Sequence, residues 1–181
     1  EYPKADYTAI VPTQLFRALN GDQRLLDHLQ SANAVLVGGA ALSQSLRNQS
    51  KLAGIKVITT YGMTETCGGC VYDGTALDGV EIEIRNGKIC IKGSVLASSV
   101  AVNDGWFETN DLGEYDSDHL VIIGRSDDVI ISGGENLSLN AIENSLSLAF
   151  PDVQFAAFAS EDPQWGQSLQ LAVVGTISDD Q

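Results

Sequence analysis

Basic residues are scarce in this chain, and their scarcity narrows the range of its partners. The 181 residues include 10 Lys and Arg against 24 Asp and Glu, so the formal net charge is −14 at pH 7. A surface of this charge repels phosphate backbones, and the sequence has no local basic patch that would offset the repulsion. We therefore expect no nucleic-acid partner.

Long apolar runs and targeting signals are also missing. No apolar stretch reaches the roughly 18 residues that a membrane-spanning helix requires. The first residues, Glu1-Tyr2-Pro3-Lys4, do not have the form of a signal peptide. These features predict a protein that has no membrane partner and is located in the cytoplasm.

Cysteine is limited to three residues, an odd number without a secretory context, which argues against a disulfide framework. Cys67 and Cys70 have the C-x-x-C spacing of a redox pair or of half a zinc site. A closed zinc site needs four ligands, however, and a redox dithiol typically begins a helix. The other sulfur and nitrogen candidates are Cys90, His28 and His119. We expect small residues lining a pocket wall, with metal binding or redox chemistry as the alternatives.

The residues that are abundant favour an α/β protein. Hydrophobic residues make up 44% of the chain, and 18 glycines against four prolines suit many tight turns around a buried core. The length corresponds to one domain or to a domain and a half.

The early part of the chain has the pattern of a βαβ unit. Ala34–Val37 predicts a buried strand, which is followed by Gly38-Gly39-Ala40-Ala41. A helix over 43–53 leads to a second strand at Lys56–Thr60, and such a crossover predicts a parallel sheet. Two shorter helices are predicted before this unit, over 14–19 with Thr13 as N-cap and over 24–30.

Beyond residue 70 the pattern changes to short alternating strands. Val80–Ile84 and Lys88–Ile91 flank Asn86-Gly87, the dipeptide most typical of a two-residue hairpin turn. Further strands are predicted around Gly105–Phe107 and over His119–Ile123. We expect a small, mostly antiparallel β subdomain here.

After Gly124 the pattern becomes that of an α+β lobe. Ser138 is the expected N-cap of a helix from Leu139 to about Ala149, which Pro151 would end. Strands are predicted over Phe155–Ala159 and Leu169–Val174.

The most informative segment is Tyr61-Gly62-Met63-Thr64-Glu65, directly after the second predicted parallel strand. Gly62 permits a tight turn, and open α/β sheets bind ligands at the carboxyl ends of their strands. Stacking by Tyr61, a phosphate contact from Thr64 and Mg²⁺ coordination by Glu65 would suit a nucleotide with its metal. The alternative is a turn that only ends the strand.

Two further segments, Gly105–Asp111 and Gly124–Asn136, follow this motif. In this order the three resemble motifs of the adenylate-forming enzymes, the superfamily of acyl-CoA synthetases, peptide-synthetase adenylation domains and luciferases. The resemblance spans essentially the whole chain. It implies an α/β fold made of part of a parallel βαβ subdomain over 1–70, a small mostly antiparallel β subdomain over 71–124, and an incomplete C-terminal α+β lobe over 125–181.

The resemblance also implies a nucleotide site. ATP or AMP and Mg²⁺ would be the cofactors, CoA the co-substrate, and a small carboxylic acid the substrate. Catalytic roles fall to Thr64 and Glu65, which would meet phosphate and metal. The residues beside adenine, ribose and phosphate would be Gly38, Gly39, Ala40, Tyr61, Gly62, Met63, Asp111 and Arg125. The alternatives are a strand-to-helix turn for Gly38-Gly39, a turn aspartate for Asp111 and a surface ion pair for Arg125.

Three more positions follow from the same resemblance. Asp127 matches the hinge residue about which the C-terminal lobe turns between an adenylating and a thioester-forming pose. Gly133 and Gly134 match a loop on the CoA side of the site, for which an ordinary tight turn is the alternative. The chain departs from the family pattern at Asn110, where glycine usually precedes the ribose-binding Asp.

A narrower resemblance, to o-succinylbenzoate–CoA ligases of menaquinone biosynthesis, rests on Val11–Gln14, Gly38–Ala41 and Cys67–Gly74. It implies o-succinylbenzoate as the acid. The residues directly after Thr64-Glu65 would then line the acyl pocket, namely Cys67, Gly68 and Gly69.

The superfamily's phosphate-binding loop with its lysine, and its C-terminal catalytic lysine, have no counterpart in these residues. We therefore expect a portion of an ATP-dependent carboxylate–CoA ligase, truncated at both ends and inactive by itself. The alternatives are a non-catalytic nucleotide- and acyl-binding module, or an adenylation domain that loads a carrier-protein thiol. The sequence leaves the oligomeric state open, a homo-oligomer included.

Overall fold

A computed structural model describes residues 2–150 and 153–175, and within them the chain folds as two compact units. The first unit contains residues 2–83, 90–108 and 115–120. The second contains residues 84–89, 109–114, 121–150 and 153–175. The three domain boundaries expected from the sequence stay predictions.

The first part of the chain alternates strands and helices. Its elements are β1 (Tyr7–Ile10), α1 (Pro12–Leu19), α2 (Gln23–Ser31), β2 (Ala34–Val37), α3 (Gln44–Leu52), β3 (Val57–Met63), one 3₁₀ turn (Thr64–Thr66), β4 (Gly68–Tyr72) and β5 (Thr75–Ala76). The strands form a five-stranded sheet in the order β1-β2-β3-β4-β5. β1, β2 and β3 are parallel and the later pairs are antiparallel, so the predicted βαβ crossover is confirmed.

A shared apolar core holds the three helices against the parallel strands. Leu15 of α1, Leu29 of α2 and Val35 of β2 have no exposed surface, and Leu46 of α3 is buried in the same cluster. Burying one such side chain is worth about 1.5–3 kcal/mol. This packing fixes the ends of β1, β2 and β3 relative to one another.

Two sequence predictions for this part are wrong. α1 begins at Pro12 and is capped by Val11 instead of Thr13, because Pro12 needs no N–H partner and the Gln14 side chain accepts from the Val11 N–H at 3.0 Å. Tyr61–Met63, predicted as a tight turn, continue strand β3 because β4 pairs with them. The chain turns only at Thr64–Thr66.

Strand β5 is absent from the sequence prediction, although a local signal precedes it. Asp73 and Gly74 have φ values of 45° and 80° and connect the paired residues Tyr72 and Thr75. Two successive residues with positive φ make a type I′ hairpin turn, for which Asp-Gly is a preferred dipeptide. The same rule that predicts the Asn86-Gly87 turn therefore applies here.

The following four strands are β6 (Val80–Arg85), β7 (Lys88–Gly93), β8 (Phe107–Asp116) and β9 (His119–Arg125), in the sheet order β6-β7-β8-β9. Asn86 and Gly87 have φ values of 51° and 79°, so the predicted hairpin turn is confirmed. β8 begins at Phe107, where the predicted strand ends, and continues to Asp116, whereas β9 extends the predicted strand by Gly124 and Arg125. The last three residues of β8 are exposed, so no apolar alternation marks the end of this strand.

The last elements are β10 (Val129–Ser132), β11 (Glu135–Ser138), α4 (Leu139–Ala149), β12 (Gln154–Asp162) and β13 (Gly166–Val174). The strands form an antiparallel sheet in the order β11-β10-β13-β12. Ser138 Oγ accepts a hydrogen bond from the Ala141 N–H at 3.3 Å, so the predicted cap and bounds of α4 are confirmed. Pro151, the predicted helix stop, lies outside the described residues. Within those residues, no helix has the length and apolarity to cross a lipid bilayer.

Candidate functional site

A cleft of about 590 Å³ lies in the first unit, at the carboxyl ends of the three parallel strands. Open α/β sheets bind their ligands at this edge. The cleft brings together seven of the site residues expected from the sequence: Gly38, Gly39, Gly62, Met63, Thr64, Gly68 and Gly69. Its other lining residues are Ala9, Ile10, Val11, Gln14, Leu36, Thr60 and Tyr72.

Gly38 and Gly39 follow β2 and form one wall of this cleft. A Cβ on Gly38 would overlap the Thr60 hydroxyl oxygen of the neighbouring strand, and Gly39 has a φ of 81°. Both positions thus favour glycine for reasons of local geometry. Ala40 is exposed and is not among the residues that line the cleft.

Gly62 of β3 lies opposite Gly69 of β4. A Cβ on Gly62 would overlap the Gly68 carbonyl oxygen, so only glycine allows this pairing. The register shifts between Tyr61 and Gly62, which leaves Cys70 of β4 without an opposite residue. This bulge, and not a turn at Gly62, is the local irregularity.

Thr66 holds the turn that follows β3, a role that was not predicted from the sequence. It is buried, and its hydroxyl accepts a hydrogen bond from the Met63 N–H at 2.9 Å and lies 2.7 Å from the Gly68 carbonyl oxygen. Cys67 has a left-handed backbone with φ 55°. A hydroxyl residue three positions after the strand end is a familiar capping signal and could have predicted this contact.

The expected nucleotide-binding side chains differ in their position relative to the cleft, as Tyr61, Thr64 and Glu65 show. Thr64 is exposed and lines it, whereas Tyr61 and Glu65 are half-buried and are not among its lining residues. The Glu65 carbonyl oxygen accepts a hydrogen bond from the Ala97 N–H at 2.8 Å, which fixes the backbone that carries the carboxylate.

The three cysteines differ in their exposure. Cys67 is an exposed free thiol, whereas Cys70 and Cys90 are buried, and none of the three is among the lining residues. Burial raises the pKa of the Cys70 thiol, and this effect outweighs a hydrogen bond with Thr66. In the part of the chain that the structure describes, no three His, Cys, Asp or Glu side chains cluster as a metal site would.

Asp73 ties the strands that carry the cleft to helix α3. Its carboxylate accepts hydrogen bonds from the Thr59 N–H and hydroxyl, both at 2.9 Å, and from the Arg47 guanidinium at 3.0 Å. Partial burial by itself would raise the pKa of Asp73, but these three donors outweigh it and the pKa lies below its usual 3.8.

A second candidate site lies in the second unit and consists of charged groups. Arg125 donates to both carboxylate oxygens of Asp127, from Nε at 2.7 Å and from a terminal nitrogen at 2.5 Å. Its other terminal nitrogen lies 3.3 Å from the carboxylate of Asp111, which is buried. The bidentate hydrogen bond with Asp127 raises the pKa of Arg125 and lowers the pKa of Asp127.

Backbone contacts hold this charged cluster together. The Asp111 N–H donates to the hydroxyl of buried Thr109 at 3.0 Å. Ser126 donates to the Asn110 carbonyl from its N–H at 2.7 Å and from its hydroxyl at 2.9 Å. Neither of these roles was predicted, and the Ser126 contact joins residues that are 16 positions apart in the chain.

Gly133 and Gly134 form the two-residue turn between β10 and β11. Their φ values are 59° and 89°, and the flanking residues Ser132 and Glu135 are paired. A Cβ on Gly133 would lie 2.6 Å from the Trp165 ring. The turn therefore needs glycine for structural reasons, whatever ligand role it has.

The sequence and the fold of this chain are similar to those of known ligases. A 2-succinylbenzoate–CoA ligase named as probable, from Mycobacterium tuberculosis, is 37% identical over 93% of this chain and 47% of its own length. Wild-type Escherichia coli MenE, solved with an analogue of OSB-AMS, has a TM-score of 0.77 at 27% identity, over 96% of this chain and 43% of that one. Bacillus subtilis MenE, an o-succinylbenzoate CoA synthetase solved with the acyl-adenylate OSB-AMP, has a TM-score of 0.72 at 27% identity, over 96% and 42%.

The chain spans about half the length of the curated relatives that it matches. A family model described as AMP-binding enzyme matches residues 3–98. This match covers just over half of the chain and includes the whole of the cleft described above. The chain therefore belongs to the AMP-binding enzyme family.

Proposed function

We propose that this chain is part of an ATP-dependent ligase that adenylates 2-succinylbenzoate and transfers the acyl group to CoA. The observation that carries the proposal is that Gly38, Gly39 and the Gly62–Thr64 segment line one cleft. The similarity to relatives named as 2-succinylbenzoate–CoA ligases supports the choice of acid. The reaction would take place in the cytoplasm, and inactivity of the 181-residue chain by itself stays a prediction.

The nucleotide would lie along the strand ends. Tyr61 would stack on adenine and Thr64 would donate its hydroxyl to a phosphate oxygen, close to Gly62 and Met63. Ala40 would follow the Gly38-Gly39 wall beside adenine. Positioning of the phosphates and the carboxylate, with little covalent help from the protein, is the expected source of the rate enhancement.

A bound Mg²⁺ would take one ligand from this chain, the carboxylate of Glu65. This ion usually takes one or two protein carboxylates and completes its shell with phosphate oxygens and water. Glu65 would supply one such carboxylate, on a backbone that the Ala97 N–H already fixes. When bound, the ion would neutralise phosphate charge that otherwise repels a carboxylate.

The charged cluster would bind ribose and phosphate. Asp111 accepts hydrogen bonds only and could take both ribose hydroxyl protons, while the Arg125 fork would reach a ribose or phosphate oxygen. Asp127 would be the hinge residue, and its ion pair with Arg125 would have to adapt as the hinge turns. Gly133 and Gly134 would approach the CoA side, and Cys67, Gly68 and Gly69 would border the acyl group.

ATP–pyrophosphate exchange tests the proposal in the protein translated from the complete reading frame. We expect exchange to depend on 2-succinylbenzoate and to be much weaker with benzoate. Asp111→Ala should raise the KM for ATP roughly tenfold to a hundredfold, because a charge-assisted contact is lost. Asp116→Ala, at an exposed carboxylate of the same strand, is the matched control. Exchange that is independent of the acid, or an unchanged KM in Asp111→Ala, would contradict the proposal.

A further inference from the structure

Two hydroxyl side chains to which no role has been assigned lie side by side in the cleft. Thr60 of β3 and Tyr72 of β4 are direct partners in the antiparallel register, and both line the cleft. Directly opposed residues of an antiparallel pair project from the same face of the sheet. Their side chains therefore face one region of the cleft together.

Glycines make room for both side chains. A Cβ on Gly69 would lie 3.2 Å from the Tyr72 hydroxyl and 3.4 Å from the Thr60 Cβ, and a Cβ on Gly38 would overlap the Thr60 hydroxyl. Tyr72 lies three positions after Gly69, so regular alternation would place the two residues on opposite faces. The bulge at Cys70 brings them to the same side.

The two hydroxyls are available to a ligand. Neither of them has a hydrogen-bond partner among the described residues. The described side chains that line the cleft carry no formal charge, and the only others with polar groups are Gln14 and Thr64. The Gln14 oxygen already accepts from the Val11 N–H, and Thr64 belongs to the proposed phosphate contact.

We propose that the Tyr72 hydroxyl, with the Thr60 hydroxyl beside it, selects carboxylic-acid substrates that carry a second hydrogen-bond-accepting oxygen. The inference rests on the proposed function and adds the residues that choose the substrate class. An acid with a carbonyl or carboxylate oxygen away from its reacting group satisfies both donors. An acid without such an oxygen leaves both hydroxyls desolvated and unpaired. Sites built to form hydrogen bonds with a substrate discriminate strongly against acids that cannot form them.

The test compares two stable probes by calorimetry on the protein translated from the complete reading frame. One probe is the sulfamate-linked mimic of o-succinylbenzoyl-AMP, and the other is the same mimic of benzoyl-AMP, which lacks the second acceptor. Tyr72→Phe should reduce the preference for the first probe about tenfold, and Thr60→Val several-fold. Thr60→Ser keeps a hydroxyl and should restore the preference. Tyr115→Phe is the matched control, because that phenol donates to the Ile82 carbonyl outside the cleft.

Each outcome decides the matter. If Tyr72→Phe lowers the ratio of the affinity for the o-succinylbenzoyl probe to that for the benzoyl probe, and the benzoyl probe still binds as before, the inference is supported. Equal weakening of both probes means that Tyr72 only shapes the cleft and overturns it, as does an unchanged ratio. If the unmodified protein binds neither probe, the proposed function itself fails. Thermal unfolding of each variant confirms that a change in ratio is measured on folded protein.

Discussion

The cleft at the end of β3 and the cluster around Asp111 are built from different kinds of contact. In the cleft, Gly38 and Gly62 leave room for an oxygen atom of the next strand, and the lining side chains are uncharged. In the cluster, one guanidinium is shared between two carboxylates. The first region is therefore defined by the close approach of neighbouring chain segments. The second is held by hydrogen bonds between oppositely charged groups.

A side chain that blocks the close approach of strands β3 and β4 should destabilise the part of the fold that forms the cleft. Gly62→Ala puts a methyl group against the Gly68 carbonyl, which can move only if β3 and β4 separate. We expect a loss of about 2–3 kcal/mol in the free energy of unfolding, measured as a lower urea midpoint at constant slope.

Gly69→Ala is the control for this change, because its methyl group would meet the movable end of the Tyr72 side chain. It should cost about 1 kcal/mol or less. Equal losses in the two variants would show that the approach of the two backbones does not define this region.

The charged cluster should respond to a change in backbone freedom. Asp127→Pro fixes φ at the proposed hinge and should slow thioester formation roughly tenfold while adenylation changes little. Single-turnover assays of the two half-reactions measure both effects. Asp127→Ala also removes the ion pair with Arg125 but leaves φ free. It therefore distinguishes the effect of restricted backbone rotation from the effect of the lost ion pair. Equal loss of both half-reactions in Asp127→Pro would contradict the hinge assignment.

One charged contact, that of Asp73 with Arg47, joins the strands that carry the cleft to helix α3. Because the pKa of Asp73 is lower in the folded state than its usual 3.8, its contribution to stability is present above pH 3.8 and is lost as the pH falls through the lower folded value. Asp73→Asn should cost about 1 kcal/mol near neutral pH, since the side chain is partly exposed, and less in acid. Urea midpoints over a pH series measure this difference.

Asp78→Asn, at an exposed acid in the following loop, is the control for charge alone. A cost for Asp73→Asn that does not decrease in acid would show that the contact acts through packing instead of charge.

Much of the fold could be predicted from local patterns. The strand Ala34–Val37, the helix Leu139–Ala149 and the Asn86-Gly87 turn are all observed, because periodicity, capping and turn chemistry act over a few residues. Strand ends were predicted less well. β3 continues through Met63 because a strand that lies later in the sequence pairs with it, and no local pattern reports that pairing.

The candidate site divides in the same way. The sequence by itself determined which motifs are present, and these motifs indicate which residues to test. This is possible because the conformational freedom of glycine and the charges of carboxylate and guanidinium groups are properties of the residues themselves. Only the tertiary structure decided that Gly38, Gly62 and Gly69 border one cleft, and that Cys67 and Glu65 are not among its lining residues. It also brought Thr60 and Tyr72 together, because strand pairing and one bulge set the neighbours of residues that are far apart in the chain.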